Sequence, residues 1–176
     1  MFRPGVDYHA HPVSEPLGYL ITCRTYGTWL HGDARGFVDR DHNTYGTPLR
    51  DPDRALEQTE RRHLKTDAVK LTARQRESVA ETIRSVCDTR GWSLRALNVR
   101  TTHFHAVVAA SDPPERIMHA FKAYATRRLR EKGLHAQSAP LWSRHGSTLY
   151  LWKPLQVENA CRYIADGQGK DLGGEL

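Results

Sequence analysis

Cysteine is scarce in this chain: 176 residues hold three (Cys23, Cys87 and Cys161), far apart and with no C-x-x-C pair. Such usage excludes a disulfide framework, suggests no cysteine zinc site, and fits a reducing compartment. Long apolar runs are missing as well. No stretch approaches the roughly 18 consecutive apolar residues of a membrane span, and no apolar run follows the first residues as in a signal peptide. The expectation is therefore a soluble, cytoplasmic protein with no membrane partner. Internal repeats and low-complexity tracts are also absent. Negative charge is in deficit, with 20 Asp plus Glu against 26 Lys plus Arg and a net charge of +6. That balance favours polyanionic partners, and the many arginines suit phosphate because a planar five-donor fork matches its oxygens.

What is present is a chain of one-domain length, 39% of it apolar and so able to form a real core. Residues 18 to about 26, rich in β-branched and aromatic types, read as a first strand. From 31 to 71 the sequence turns to Gly, Asp, Arg and Pro, a long basic insertion with one short helix expected after Asp51 as N-cap and Pro52 at its first position. Residues 72–90 carry Val79, Ile83, Val86 and Cys87 at helical spacing, and Gly91 closes that helix. Two strands, 92–99 and 103–110, follow as a hairpin around Arg100, Thr101 and Thr102. A helix over 114–132 stops at Gly133, a strand covers about 148–152, and Pro154 opens a last helix ending at Gly167. The expected class is α+β: a ferredoxin-like antiparallel four-stranded sheet covered by two helices, with an additional C-terminal helix, all in one domain over 1–176.

Within this frame, "HFHAVVAA" places His103 and His105 on one side of a strand, with Phe104, Ala106 and Val108 on the other. Two imidazoles on one face can bind one divalent ion. Ten histidines give an H-x-H pair by chance about half the time, so the pattern alone is weak. A second pair, His9 and His11, lies beside Pro12 near the N-terminus and is not patterned as a strand. On the last helix the apolar stripe is Val157, Ala160, Cys161 and Ile164, and Tyr163 stands off it with Gln156 and Asn159. Tyr163 is either an ordinary exposed tyrosine or a phenol that meets the ion. Tyr124 is the competing phenol. It borders the stripe of Ile117, Phe121, Ala125 and Leu129, which points to an aromatic anchoring its helix to the sheet. Arg116, His119, Arg127 and Arg130 cluster on the far side of that helix, as a solvated face or a phosphate-tracking one.

The blocks "GYLITCRTYGTWLHGD", "GWSLRALNVRTTHFHAVVAA", "LWSRHGSTLYLW" and "ACRYIADGQG", in that order and spacing, resemble the REP-associated tyrosine transposases, single-tyrosine members of the HUH endonucleases. The resemblance covers Gly18 to Gly169. It implies that His103 and His105 are ligands of Mg²⁺ or Mn²⁺, and that Tyr163 attacks a DNA phosphodiester to leave a 5'-phosphotyrosine and a free 3'-hydroxyl. Gln168 is the match for the third ligand, five residues after the tyrosine where insertion-sequence relatives have four, and Asp166 is near enough in sequence to replace it. The implied substrate is single-stranded DNA beside a palindromic hairpin in the nucleoid. Arg116, Arg127, Arg130, Arg144 and Trp152 are the candidate DNA contacts, with the basic stretch 50–65, Trp142 and Tyr150 beside them. The resemblance leaves open a monomer or a homodimer with the tyrosine helix contributed in trans.

Two rivals stand beside this reading. One is a catalytically inactive hairpin-binding protein of the same fold, to which the displaced Gln168 leans. The other is a metal-dependent hydrolase with a water nucleophile, but an H-x-H-x-H site would need a histidine where Val107 stands.

Overall fold

In the computed structural model, residues 15–37 and 48–166 are described. They form eight elements: β1 (Gly18–Arg24), α1 (Arg54–Arg62), α2 (Ala73–Arg90), β2 (Ser93–Val99), β3 (His103–Ala109), α3 (Pro114–Glu131), β4 (Ser147–Leu151) and α4 (Pro154–Asp166). The strands make one antiparallel sheet in the order β2-β3-β1-β4, the ferredoxin-like arrangement expected.

Strand alternation divides the chain's apolar residues between two sides. On one side Tyr19, Ile21 and Cys23 of β1 and Phe104, Ala106 and Val108 of β3 meet α2 through Val79, Ile83 and Val86, and α3 through Ile117, Phe121, Ala125 and Leu129. This is the main core. On the other side Val107 and Leu151 meet Ala160 and Ile164 of α4, with Leu20, Ala96, Leu149, Val157 and Cys161 packed around them. The sheet is thus covered on both faces, heavily by α2 and α3 and lightly by α4. Its lightly covered face is the one that carries His103 and His105.

Local signals set the element ends. Thr72 and Gln75 form a reciprocal capping box at the start of α2, and Gly91 closes it in the left-handed conformation with φ 68°. The α1 cap differs from the expectation: Asp53, not Asp51, is the N-cap, its carboxylate accepting from the Leu56 amide at 3.0 Å, so Pro52 lies outside the helix. Both aspartates flank Pro52 and offer the same cap chemistry, and sequence alone does not separate them. The connection from β1 to α2 is tied back to the β2–β3 hairpin. The Thr25 amide donates to the Thr102 carbonyl at 2.8 Å, and the Leu71 amide donates to the Thr101 carbonyl at 2.7 Å, while the buried Thr25 hydroxyl donates to the Val69 carbonyl within the connection at 2.6 Å. Before β4, Lys122 of α3 donates to the carbonyls of Ser143 and His145 at 2.9 and 3.1 Å, holding that loop against the helix.

Candidate active site

One row of residues in register crosses the whole sheet on the α4 side: Asn98 of β2, His105 of β3, Thr22 of β1 and Ser147 of β4. In the next row Arg24 of β1 pairs with His103. Every member follows from period-two alternation once the strands are paired, but the pairing brings together residues about 80 positions apart.

The two imidazoles lie edge to face, with ring centroids 4.7 Å apart. Thr22 Oγ1 and His105 Nδ1 share a hydrogen bond of 2.7 Å, which orients the ring; with the proton on Nδ1, Nε2 presents its lone pair. His103 Nδ1 lies 3.2 Å from Thr102 Oγ1. His105 is buried, and burial, helped by the positive charges of His103, Arg24 and Arg100, pushes its pKa down to about 4. The ring is therefore neutral at neutral pH, as a metal ligand must be. Two imidazoles side by side, the buried one oriented and neutral, fit a divalent cation.

Tyr163 reaches this row from α4. Its ring packs edge-on against His105 with centroids 5.6 Å apart, while 48% of the residue stays exposed. Neither pure surface nor core describes it. The helix is fixed by Ala160 and Ile164 in the small apolar cluster and by Asn98, whose carboxamide donates to the Ile164 carbonyl at 3.1 Å. At its start, Gln156 Oε1 accepts from the amides of Trp152 and Lys153 at 2.8 and 3.0 Å.

Beside the histidines, the Arg24 guanidinium lies over the indole of Trp29, 3.3 Å from its centroid. Trp29 is held in turn, its Nε1 donating to the Gly36 carbonyl at 2.7 Å, and Arg35 lies 5.6 Å from the same ring. Burial and the charge of Arg35 lower the Arg24 pKa to about 10, against the opposite pull of Asp33 and Tyr163, so it remains charged at neutral pH. Sequence reasoning missed Thr22, Arg24, Trp29 and Asn98. The alternation of β1 would have put Thr22 and Arg24 on one face of their strand, but neither it nor that of β2 relates Thr22, Arg24 or Asn98 to the face of the histidines.

The other expected residues fall elsewhere. Arg116, Arg127 and Arg130 lie on α3, across the sheet from the histidines. Arg116 pairs with Asp112 at 2.8 Å, and Arg130 Nη2 donates to the Ala139 carbonyl. With His119, Lys122 and Gln137, Arg127 and Arg130 line an open groove of about 590 Å³. Arg144 is exposed in the loop held by Lys122. Trp152 is 46% exposed and stacks on Tyr150 with centroids 5.9 Å apart, whereas Trp142 is core and donates to the Lys122 carbonyl. Tyr124 does not anchor its helix to the sheet: it is 39% exposed, with the Arg127 guanidinium 5.5 Å from its ring. Among the described residues no cluster of three His, Cys, Asp or Glu side chains gathers to hold a metal, and Asp166 is exposed. Gln168, His9 and His11 lie outside the described residues. No described helix is long and apolar enough to cross a membrane.

Comparison with known proteins gives four results. Residues 62–166 match the sequence model of a family described as "Transposase IS200 like". A protein of Deinococcus radiodurans R1, provisionally assigned as a transposase, shares the fold at 15% identity, covering 93% of this chain and 96% of that one, with a TM-score of 0.50. The structure of a REP-associated tyrosine transposase bound to a REP hairpin aligns at 12% identity over 91% of this chain and 70% of that one, with a TM-score of 0.49. No curated protein matches.

Proposed function

Since the chain belongs to the IS200-like transposase family, a DNA-processing role is its premise, and we propose the specific chemistry: metal-dependent cleavage and rejoining of single-stranded DNA beside palindromic hairpins through a phosphotyrosine on Tyr163. The observation that carries this reading is the contact of the Tyr163 ring with His105, in a chain where His105 and His103 share one strand face.

Tyr163 supplies the nucleophile. Its phenol oxygen forms a bond to phosphorus while the bond from phosphorus to the 3' oxygen breaks. The phenol loses its proton to solvent and the departing oxygen becomes a 3'-hydroxyl. A phenol ionises near 10 and attacks poorly at neutral pH, so charge must be drawn off the phosphate. His103 and His105 would hold the Mg²⁺ or Mn²⁺ ion that supplies this Lewis acidity. Thr22 keeps the His105 ring in orientation, and Asn98 keeps the end of α4 at the site. Storing the broken bond on Tyr163 lets the 3'-hydroxyl of another strand reverse the step without a nucleotide cofactor. Gln168 remains the proposed third ligand. For the DNA, the exposed Arg116, Arg127 and Arg144, the half-buried Arg130 and the exposed Trp152 offer phosphate and stacking contacts.

The test is to incubate the protein with labelled hairpin-bearing single-stranded oligonucleotides and Mg²⁺ or Mn²⁺, then look for a protein–DNA adduct that survives denaturation. The expected result is an adduct lost with Tyr163→Phe and with chelator but kept with Tyr124→Phe. Hairpin binding with no adduct under any metal would replace the enzyme by a binding protein on this fold.

A further inference from the structure

A guanidinium that leaves water is ordinarily paired, because an uncompensated charge in a partly dry site is costly. Arg24 breaks that pattern. It is half-buried and carries five N–H donors, yet among the described residues its contact is the face of Trp29, with no hydrogen-bond acceptor and no ion pair. The neighbouring carboxylate, Asp33, is taken up by Arg35 through two bonds of 2.7 Å. On the sheet, Arg24 stands in register with His103 and on the same face as His105. Among the described residues, Arg35 lies on the same indole and the charge of Arg100 acts on His105. Among the described residues, the carboxylate that acts on Arg24 is thus already engaged by Arg35.

We infer that Arg24 is a receptor for one backbone phosphate of the bound DNA, held on Trp29 so that its donor fork faces the strand beside the histidine and tyrosine site. The identity of the anion rests on the DNA-processing reading above. The chemistry matches: a phosphodiester carries one charge and two non-bridging oxygens, which a planar fork meets with two parallel bonds. Stacking fixes the side chain before the ligand arrives, so little rotamer freedom is lost on binding. The supports lie in the connection after β1. Trp29 is fixed to the Gly36 carbonyl, and Arg35, locked on Asp33, also donates to the Thr28 carbonyl at 2.9 Å.

Binding of a labelled single-stranded oligonucleotide, measured in chelator across a salt series, tests this without any catalytic step. Arg24→Gln is expected to bind about tenfold more weakly at low salt, with the slope of log affinity against log salt reduced by about 0.7, the value for one phosphate contact on a single strand. Arg24→Lys keeps the slope and part of the affinity. Arg84→Gln, an exposed change on α2 across the sheet, leaves both unchanged. Equal affinity and slope for Arg24→Gln and the parent protein would overturn the inference. If Arg24→Gln does not fold, the Arg24 Nε–H resonance of the parent protein, assigned by its loss in Arg24→Lys, decides: it shifts at saturating oligonucleotide, and an unmoved resonance overturns the inference. Arg24-dependent binding without any metal-dependent adduct would sink the phosphotyrosine reading and leave the phosphate receptor standing. An adduct with Arg24→Gln binding unaltered would do the reverse.

Discussion

His105 is a buried imidazole whose pKa in the fold, about 4, lies below the value of about 6.5 in an unfolded chain. As acid is added, the unfolded chain takes up its proton first, so the native state loses stability as pH falls from about 6.5 towards 4. In chelator, the thermal midpoint should decline through that window, and His105→Asn should flatten the decline; an equal decline in the variant would place the cause elsewhere. Thr22 acts on the same ring. Thr22→Val keeps the shape but removes the hydroxyl bonded to Nδ1, and a lost outer hydrogen bond on a ligand histidine costs about 10- to 100-fold in metal affinity. Mn²⁺ titration calorimetry should show that loss with the fold intact, while Thr22→Ser restores binding. The sequence made His103, His105 and Tyr163 legible because each breaks its own element's apolar pattern. Thr22 and Asn98 break none: a threonine in a strand and an asparagine near its end are ordinary, and only strand pairing gives them a task.

At the level of elements, α4 depends on few supports. Its apolar contacts are with Val107 and Leu151, through Ala160 and Ile164, and Asn98 holds the Ile164 carbonyl. Asn98→Ala should cost about 1 kcal/mol, the worth of one hydrogen bond. It should speed amide exchange over 160–166 while β3 exchanges as before, and adduct formation should slow with it. Unchanged exchange in α4 would mean that packing alone holds the helix. The start of β4 is constrained in a different way. A Cβ on Gly146 would stand 2.5 Å from Met118 Sδ and 2.7 Å from the Thr22 carbonyl oxygen. Gly146→Ala should therefore destabilise by about 1–3 kcal/mol, the usual cost of overpacking, read as a lower denaturant midpoint. Most elements were legible because each is bounded by its own signals: Thr72 and Gly91 around α2, Pro114 and Gly133 around α3. The missed details are competitions between equivalent neighbours. Asp51 and Asp53 offer α1 the same cap, and Tyr124 sits at the edge of the α3 stripe, where one turn of rotation decides between core and solvent.

Over the whole molecule, the three thiols are free, and burial pushes Cys23 and Cys87 up to about 12 and 11, away from reactive thiolate. Reductant should leave the thermal midpoint unchanged. Any dependence would mean an intermolecular disulfide. The fold class was legible because a hairpin and two well-marked helices leave few ways to arrange four antiparallel strands. The site was legible in part, because which face receives α4 depends on Ala160 and Ile164 matching Val107 and Leu151 across the sheet, and no local spacing states that match. The two-faced sheet has a consequence for inheritance. Along β3, on the proposed function, neighbouring codons answer to different judges: 104, 106 and 108 to whether the protein survives in the cell, 103 and 105 to whether it acts on DNA. With abundance and activity scored separately across every substitution in that strand, abundance should fall most at 104, 106, 107 and 108, where side chains fill the two cores, and activity should fall beyond abundance at 103 and 105. A copy released from selection on its chemistry would lose its histidines long before its fold, and would persist as a well-folded protein with those two positions left free to drift.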